Sequence, residues 1–404
     1  MTSQQQKDRA TLVLAAMLAG LATLGPFAID TYMPSFPAMG RALNATTLEM
    51  QQTLSAYLLP FACMMLFHGA LTDSFGRRPV ILGGLLVFIA ASIGCALAQS
   101  LPQLLLFRAV QGMSAGTGMV AGRAMIRDIY PGHQAQRVMS MVTMIFGLAP
   151  AIAPILGGWL EVWFGWRAIF VFLALFSGLL FAGCHFQLAE SLPPEKRHPF
   201  KLRPLLANYV KLFGSVKFGL LSSAIALNFA GFFLYVASAP AVIYGLLGLN
   251  ENQFAYLFVP GIAGVVAGAF VSGRLAGKLS PRRTVLYGYA IMAAAAAFNL
   301  VYHALFGPAL PWTVLPVMIY AVGMALAMPS ITLLVLDLFP DNRGLAASLQ
   351  GAQQSFFSGL AAGLLSPYLS GTGLALAGGM AALVACGFAC WYIFGRMSAM
   401  ESRA

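Results

Sequence analysis

Two charged residues stand inside long apolar segments, where a charge is energetically unfavourable. Asp30 lies near the end of the first apolar segment, and Arg108 lies inside the fourth. The other acidic residues fall at the end of an apolar segment, in a connecting loop or near a terminus. A carboxyl group in apolar surroundings can bind and release a proton, and a nearby guanidinium can stabilise its charged form. The sequence therefore singles out this pair as a candidate proton-handling centre.

The positions of Asp30 and Arg108 predict that their side chains meet. If the first segment runs outwards through a membrane and the fourth runs inwards, both residues lie roughly 10 Å below the outer surface. An ion pair between them would offset part of the penalty of burying two charges. A conformational change that separates the pair would then let Asp30 take up a proton. The alternative is a buried ion pair that only fixes helix packing.

The composition requires a membrane around these segments. Of 404 residues, 59% are hydrophobic and only 9% are charged, whereas soluble domains carry roughly 25% charged residues. A soluble protein of this size could not bury so much apolar surface. The net charge of +11 does not indicate a nucleic-acid partner, because the basic residues flank apolar segments and no nucleic-acid-binding motif is present.

Twelve segments are long enough to cross a membrane as helices, since one span needs about 20 mostly apolar residues. They lack the alternating pattern of barrel strands. The predicted fold class is therefore an all-α membrane protein. The spans are predicted at residues 11–34, 51–72, 79–98, 101–126, 138–160, 167–187, 215–240, 254–277, 284–304, 312–335, 345–367 and 373–395.

The distribution of Lys and Arg indicates the orientation of these spans. With the N-terminus in the cytoplasm, the loops that hold nearly all basic residues fall on the inner side, and only Arg41 and Arg167 fall outside. Cytoplasmic loops are rich in Lys and Arg, so this orientation is favoured. An even number of spans returns the C-terminus to the cytoplasm.

The chain divides into two similar halves. Residues 188–214 form the longest connection, which is charged and contains prolines, and they separate residues 1–187 from residues 215–404. The stretch Gly69–Arg78 after the second span is echoed by Gly273–Arg283 after the eighth. Each half is therefore predicted to be a bundle of six helices, and 188–214 to be a cytoplasmic linker. Parallel repeats of this kind suit a transporter whose halves rock about a central site.

The loop after the second span resembles the signature of a known family. The major facilitator superfamily carries the pattern Gly-x-Leu-x-Asp-x-x-Gly-Arg-Arg/Lys-Pro between its second and third spans. The resemblance implies that Asp73 ties together the inner ends of the two halves, with Arg77 and Arg78 facing the cytoplasm. The alternative is a turn that only sets orientation. Every fixed position of the pattern is present, at Gly69, Leu71, Asp73, Gly76, Arg77, Arg78 and Pro79.

Two further motifs agree with this family. Span four contains Arg108-Ala-Val-Gln111-Gly112, which is similar to the second motif of the superfamily. Prolines disrupt regular helix and glycines allow close helix packing, so span five is expected to bend during transport, or else to carry a static kink. Its residues resemble the motif typical of drug:proton antiporters, at Gly147, Pro150, Pro154, Gly157 and Gly158.

Two short stretches resemble one subgroup of the superfamily. Ile29–Pro34 and Arg127–Pro131 look like the bicyclomycin and chloramphenicol resistance subgroup. The resemblance covers the whole chain and implies two pseudo-symmetric bundles of six helices, the major facilitator fold. It implies proton-coupled export of amphipathic antibiotics by alternating access, with the proton carried by Asp30. It also implies the inner membrane of a bacterium, with both termini in the cytoplasm.

Polar, aromatic and methionine residues at helical spacing are candidates for lining a drug cavity. Such groups make an adaptable and mostly apolar pocket, although similar stripes also serve as ordinary core packing. The candidates are Thr23, Phe27, Tyr57, Phe61, Met64, Gln111, Asn228, Phe232, Tyr235, Gln350, Gln354 and Phe357.

Other functions stay open on the residues alone. One deep acid also permits a symporter or facilitator that imports a nutrient. A membrane-embedded enzyme would need paired carboxylates, a nucleophile with its base, or metal ligands at depth, and the sequence offers none of these. We expect no cofactor and no metal site. The expected partners are a small drug molecule, protons and the lipid bilayer, and the expected assembly is a monomer.

Overall fold

The computed structural model describes residues 3–130, 132–197, 199–340 and 343–401, and these ranges are helical with short connections. Pro131, which belongs to a motif quoted above, lies outside them. No strand occurs in the described ranges. Long apolar segments form helices in a membrane because a helix satisfies its backbone hydrogen bonds within the segment. The prediction of an all-α membrane protein is confirmed.

Two compact units make up the chain, and unit 1 consists of the described parts of residues 1–46 and 59–201. A short 3-10 helix, Met33–Ser35, joins its first two helices. The helices of unit 1 are α1 (Ser3–Asp30), α2 (Phe36–Leu43), the larger part of α3 (Thr47–Phe75), α4 (Arg77–Leu97), α5 (Leu101–Ile129), α6 (Gly132–Phe164) and α7 (Arg167–Gln187). In this unit α1 packs against α5 and α6, and α4 packs against α5 and α7.

Unit 2 consists of residues 47–58 and the described parts of residues 202–404. Its helices are α8 (Leu202–Phe213), α9 (Val216–Ala237), α10 (Ala255–Leu275), α11 (Pro281–Leu305), α12 (Leu315–Asp337), α13 (Arg343–Leu360), α14 (Ser366–Leu369) and α15 (Gly373–Glu401), with π-helical segments at Ala241–Leu246 and Ala361–Leu365. Here α12 packs against α10 and α11, and α9 packs against α13 and α15.

Ten of the described helices are long and apolar enough to cross a membrane by themselves. Two predicted spans fall short of that standard for physical reasons. The helix α5 carries charged side chains, among them Arg108 and Asp128. The span that contains α13 is divided by the π-helical segment Ala361–Leu365 before it continues as α14. Together with the ten, these two give the twelve helices expected from the sequence.

The helix α3 belongs to both units. Its residues Thr47–Leu58 group with unit 2, whereas the rest of the helix groups with unit 1. The change falls next to Pro60, which lies inside the helix and which removes one backbone hydrogen bond. The expected linker is also shared, because its first part groups with unit 1 and α8, inside it, groups with unit 2. The two units therefore differ from the two halves predicted on either side of 188–214 in two places, the first part of α3 and the linker itself.

Local sequence explains where several helices begin. At α11, the Ser280 side chain accepts a hydrogen bond from the backbone N of Arg283 at 3.4 Å, and Pro281 occupies the first helical position. Serine before a helix and proline at its first residue are both favourable there. The equivalent helix of unit 1, α4, begins instead after Gly76, whose φ is 97°. Glycine adopts this left-handed conformation without steric strain.

Candidate functional site

Asp30 is the last residue of α1 and is buried inside unit 1. It keeps only 4% of its accessible surface. The helix ends here because the chain turns into the 3-10 helix Met33–Ser35, and the Thr31 hydroxyl donates to Phe27 O at 2.5 Å. The C-terminal end of a helix concentrates carbonyl oxygens and partial negative charge. An ionised Asp30 therefore needs a nearby cation for stabilisation.

The candidate cation is Arg108 on α5, which is 0% exposed and bonds to the last turn of α1. Its Nη1 donates to the backbone oxygen of Ala28 at 2.9 Å and to Gln111 Oε1 at 2.6 Å. Its Cζ lies 4.3 Å from the centre of the Tyr32 ring, which is a favourable cation–π distance. The guanidinium is thus held by an amide, a carbonyl and an aromatic face.

These contacts hold the Arg108 guanidinium against Ala28 and Tyr32, which lie on either side of Asp30 in the chain. Ala28 precedes Asp30 by two positions, and Tyr32 follows it by two. Among the residues that the structure describes, no ion pair joins Asp30 to Arg108. In general, burial disfavours a charged carboxylate and an adjacent guanidinium favours it. A small movement of Arg108 from Ala28 towards Asp30 would therefore change which form of the carboxyl is stable.

Gln111 connects Arg108 to α4. Its Oε1 accepts from Arg108, and its Nε2 donates to Ser92 Oγ at 2.8 Å. Ser92 Oγ in turn donates to Phe88 O at 2.7 Å, within its own helix. Gln111 and Ser92 are both 0% exposed. The sequence suggested that Gln111 lines a drug cavity, whereas the structure gives it a place in the core beside Arg108.

The antiporter motif of α6 packs directly against the chain next to Asp30. A Cβ atom at Gly157 would overlap the backbone oxygen of Thr31, while one at Gly147 would meet nothing within 4 Å. Pro154, Gly157 and Gly158 are buried, whereas Gly147 and Pro150 are partly exposed. Only the second half of the motif is therefore in tight contact with the residues around Asp30.

The two prolines of span five do not end this helix, and whether it bends during transport stays a prediction. α6 continues as one helix from Gly132 to Phe164 through Pro150 and Pro154. Transmembrane helices tolerate proline because neighbouring helices and local adjustments satisfy the freed backbone groups. Ser35, at the end of the 3-10 helix Met33–Ser35, donates a hydrogen bond to the carboxylate of Glu161 on α6.

The loop between α3 and α4 is closed by an ion-pair cluster inside unit 1. Arg77 pairs with Asp73, and its Nε lies 3.2 Å from Asp128 Oδ2 on α5. Its Nη1 also donates to Thr72 Oγ1 at 2.8 Å. Arg77 is 8% exposed, and its guanidinium is turned towards these two carboxylates; the side of the membrane on which it lies stays a prediction. Arg78 reaches His185 O at 2.7 Å.

Glu190, which follows α7, caps the first turn of α4. Its two carboxylate oxygens accept from the backbone N of Arg77 at 3.0 Å and of Arg78 at 3.2 Å. A carboxylate at a helix N-terminus satisfies free N–H groups and the helix dipole. A Cβ at Gly76 would lie 2.5 Å from Glu190 Oε2, so this glycine is needed for the cap. Gly69 and Pro79 flank the cluster, in the last turns of α3 and the first turn of α4.

The remaining cavity candidates of unit 1 differ in exposure. Thr23 is buried and bonds to Gly20 O in its own helix at 2.9 Å. Phe27 packs on Phe172 and Phe176, at centroid distances of 6.1 and 5.5 Å. Phe27, Phe61 and Met64 keep part of their surface. These three remain the better candidates for contact with a substrate.

The candidates of unit 2 also divide into two sets. Asn228 donates to Tyr289 OH at 3.0 Å, and Tyr235 accepts from Asn299 Nδ2 at 2.6 Å, both inside the core. Tyr57, Phe232 and Gln350 are likewise buried, and Gln350 donates to Thr332 Oγ1 at 3.1 Å. The partly exposed members are Gln354 and Phe357. Whether any of these residues contacts a drug stays a prediction.

Several residues of the centre were missed by sequence reasoning. Tyr32, Ser92 and Ala28 hold Arg108 directly or through Gln111, and Glu190 and Asp128 complete the Arg77 cluster. Tyr32 lies inside the motif Ile29–Pro34, and an aromatic ring so close to Asp30 in the chain is the one sequence feature that could have pointed to a contact with Arg108. Contacts between distant segments, such as Glu190 to α4, leave no local pattern.

Comparisons with known proteins agree with these observations. The family model described as Major Facilitator Superfamily matches residues 13–366. The chain is 31% identical over 359 residues to Multidrug resistance protein D of Escherichia coli (strain K12), covering 89% of each protein. It is 30% identical over 285 residues to the Bicyclomycin resistance protein homolog of Haemophilus influenzae, covering 70% of this chain and 72% of the relative.

A solved structure has the same fold. The crystal structure of a bacterial homolog of the human lysosomal transporter Spinster, inward-facing and occupied, superposes with a TM-score of 0.72. The two sequences are 17% identical, and the match covers 98% of each chain. At this identity the likeness concerns the arrangement of helices alone.

Proposed function

This chain belongs to the Major Facilitator Superfamily, and on that premise we propose that it is a proton-coupled exporter of amphipathic antibiotics. The observation that carries the proposal is the burial of Asp30 at the end of α1, together with the buried Arg108 that bonds to Ala28 two positions before it. The relatives named for multidrug and bicyclomycin resistance support a drug as the substrate. Proton coupling follows from the chemistry of one buried carboxyl next to one buried guanidinium.

In the proposed cycle, Asp30 carries the proton and Arg108 responds to its charge. When Asp30 is protonated, the guanidinium is held by neutral acceptors, Ala28 O and Gln111 Oε1. When Asp30 loses its proton, the carboxylate becomes the stronger acceptor for the same guanidinium. Arg108 then moves towards Asp30 and weakens its bonds to Ala28 and Gln111. Protonation is thereby converted into a rearrangement between α1 and α5.

Export requires that proton and drug compete for this rearrangement. The substrate binds while Asp30 is ionised, and proton uptake from outside favours its release there. The cycle returns when the proton leaves to the cytoplasm, so that one acid carries about one proton per cycle. Gly157 of α6 packs closely on Thr31, the residue after Asp30. A movement of the helices during alternating access would therefore be transmitted between α6 and the end of α1.

We place both termini and the Asp73–Arg77–Asp128 cluster on the cytoplasmic side of the inner membrane. The support is the excess of Lys and Arg in the loops on that side, which follows the positive-inside rule. Asp73 is proposed to gate the inner side by exchanging its partner Arg77. The partners are protons, a small drug and lipid, and the proposed assembly is a monomer.

The test is efflux from liposomes that contain the purified full-length protein. A panel of amphipathic antibiotics, including bicyclomycin and chloramphenicol, is offered with and without an imposed pH difference. Wild type is expected to move at least one drug against its gradient only when the pH difference is present. Asp30→Asn should remove this response, and Asp337→Asn, whose side chain is 66% exposed, is the matched control that should keep it.

The outcomes separate the parts of the proposal. Pumping that is equally responsive to pH in Asp30→Asn would show that another group carries the proton. Transport that runs in the import direction, or only down the drug gradient, would favour a nutrient symporter or a facilitator. Drug binding in Asp30→Asn, measured by tryptophan fluorescence, should persist, since the variant retains the fold.

A further inference from the structure

A cavity of about 400 Å³ lies between the first turns of α11 and the last turns of α15, entirely within unit 2. This volume is in the range of small-ligand sites, which is roughly 300–1,000 Å³. The cavity is distant in sequence from Asp30 and from the loop that contains Asp73. Its lining includes Arg282, Leu286, Phe388, Tyr392, Gly395 and Arg396.

Two arginines give this cavity a positive end. Arg282 stands in the first turn of α11 and Arg396 near the end of α15, and both are exposed. Arg396 Nη1 is 3.5 Å from Tyr392 OH, and its Cζ is 5.9 Å from that ring. None of the lining residues is acidic. Two guanidinium groups at one opening bind phosphate-type anions well, because each presents several N–H donors.

The rest of the cavity is aromatic and apolar. Phe388, Tyr392 and Arg396 are spaced four residues apart and so share one face of α15. The Phe388 ring packs on Tyr289 of α11 at 5.2 Å and on Tyr392 at 6.3 Å. Tyr392 is 52% exposed and Leu286 is 50% exposed. Both helices are membrane spans, so this apolar wall continues from the arginines into the depth of the bilayer.

We propose that the cavity is a binding site for an anionic glycerophospholipid. Its phosphate lies between Arg282 and Arg396, and an acyl chain follows Leu286 and Phe388 towards the bilayer centre. The pairing of a basic opening with an apolar wall in a span is the pattern of headgroup recognition between transmembrane helices. A free phosphate would use the two arginines but not the aromatic wall.

The chain offers matched controls for both parts of the site. Arg283 is the neighbour of Arg282 and is equally exposed, but it does not line the cavity. Gly395 lines the cavity and a Cβ there would meet nothing within 4 Å, so the side chain of a tryptophan at this position is expected to occupy the cavity. Gly378 on the same helix has the same open surroundings and lies outside the cavity.

The experiment is native mass spectrometry of the purified full-length protein in detergent with titrated lipid. Dioleoylphosphatidylglycerol is the anionic probe, dioleoylphosphatidylcholine the zwitterionic one, and inorganic phosphate the competitor. Wild type should bind the anionic lipid preferentially, and phosphate should not displace it. Arg282→Gln and Arg396→Gln should each weaken binding about fivefold, as expected for one arginine at a lipid headgroup, and Gly395→Trp should abolish the specific adduct.

Three results would overturn the proposal. Equal loss with Arg283→Gln would mean that general surface charge, and not the cavity, attracts the lipid. Unchanged binding in Gly395→Trp would mean that the lipid lies elsewhere. Displacement by inorganic phosphate would assign the arginines to a free anion. Retention of thermal stability in each variant, with Gly378→Trp as the reference, shows that a loss reports on binding and not on unfolding.

Discussion

The interiors of the two units bury different kinds of polar group. Unit 1 encloses charges, because Asp30 and Arg108 are 4% and 0% exposed. Unit 2 encloses amides and hydroxyls: Asn228 donates to Tyr289, and Asn299 donates to Tyr235. In the part of unit 2 that the structure describes, no Asp, Glu, Lys or Arg is buried.

This difference separates two tasks within one repeat architecture. A carboxyl and a guanidinium change their interaction when one proton arrives, whereas amides do not titrate. The energy of a proton gradient can therefore enter through unit 1. The network of unit 2 fixes the packing of α9, α11 and α12, since Tyr320 OH also donates to Asn228 O at 3.0 Å.

The largest effect is expected from Arg108. Arg108→Gln removes the cation that can stabilise an ionised Asp30, and drug efflux driven by a pH difference should fall below detection in liposomes. Arg108→Lys should be nearly as inactive, because a lysine keeps the charge but not the planar group that contacts Ala28, Gln111 and Tyr32 together.

Arg127→Gln is the control for this prediction. It lies on the same helix and is exposed, so the variant changes the net charge equally but leaves the interior intact. It should pump at close to the wild-type rate. Substantial pH-driven efflux by Arg108→Gln would remove the distinction between the two units and leave Asp30 to act without a cation.

A second prediction concerns how tightly the charged centre is packed. Gly157→Ala would force a methyl group into the backbone of Thr31, next to Asp30, and should lower stability by about 3 kcal/mol or more, because neither backbone can move aside easily. Gly147→Ala in the same motif meets open space and should be neutral or slightly stabilising. Thermal melting of the purified proteins compares the two.

The comparison with unit 2 sharpens this prediction. Gly268 also packs on a backbone oxygen, that of Val322, but a Cβ there would overlap it less than a Cβ at Gly157 overlaps Thr31 O, so Gly268→Ala should lose stability by the same cause and somewhat less of it. In protein that still folds at low temperature, Gly157→Ala should also alter the pH dependence of efflux, whereas Gly268→Ala should not. Identical pH profiles would mean that the packing beside Asp30 is only structural.

The fold was predictable from the sequence because long apolar segments have one stable form in a membrane. Twelve spans follow from apolar length, and the signature Gly69–Pro79 with the motif of span five indicated the family. The assignment to the bicyclomycin and chloramphenicol resistance subgroup of the superfamily is confirmed. The grouping of Thr47–Leu58 with unit 2 was not predictable, because it depends on tertiary contacts that a hydropathy pattern does not encode.

The candidate site was predictable only in its charged members. Asp30 and Arg108 stand out because a charge in an apolar segment is rare. The rise per residue of a helix predicts that both lie at a similar depth in the membrane. Their partners Ser92 and Tyr32 are ordinary residues of such segments and gave no signal. The burial of Arg77 against Asp73 and Asp128 was not predictable, because sequence alone does not show that both carboxylates meet one guanidinium.

A third prediction tests the neutral interior of unit 2. Asn228→Leu removes the donor to Tyr289 and leaves that hydroxyl without this bond, while the bond from Tyr320 survives because it reaches the backbone. The expected loss of stability is roughly 1–3 kcal/mol. The response of efflux to an imposed pH difference should be retained. Loss of that response in a folded Asn228→Leu protein would place part of the coupling in unit 2.

The smallest effect is expected at the hydrogen bonds that hold the first part of α3 in unit 2. Ser366 Oγ lies 2.8 Å from Ser238 Oγ and 3.1 Å from Gln51 Nε2, so this hydroxyl joins three segments. Ser366→Ala should lower stability by about 1 kcal/mol. Ser358→Ala is the matched control, since that buried hydroxyl bonds only to Gln354 O in its own helix. If both serines lose the same amount in thermal melting, the contact between Gln51 and Ser366 adds nothing. If Ser366→Ala alone also speeds drug efflux, the first part of α3 must separate from these residues during the cycle, and unit 2 then has a moving part of its own.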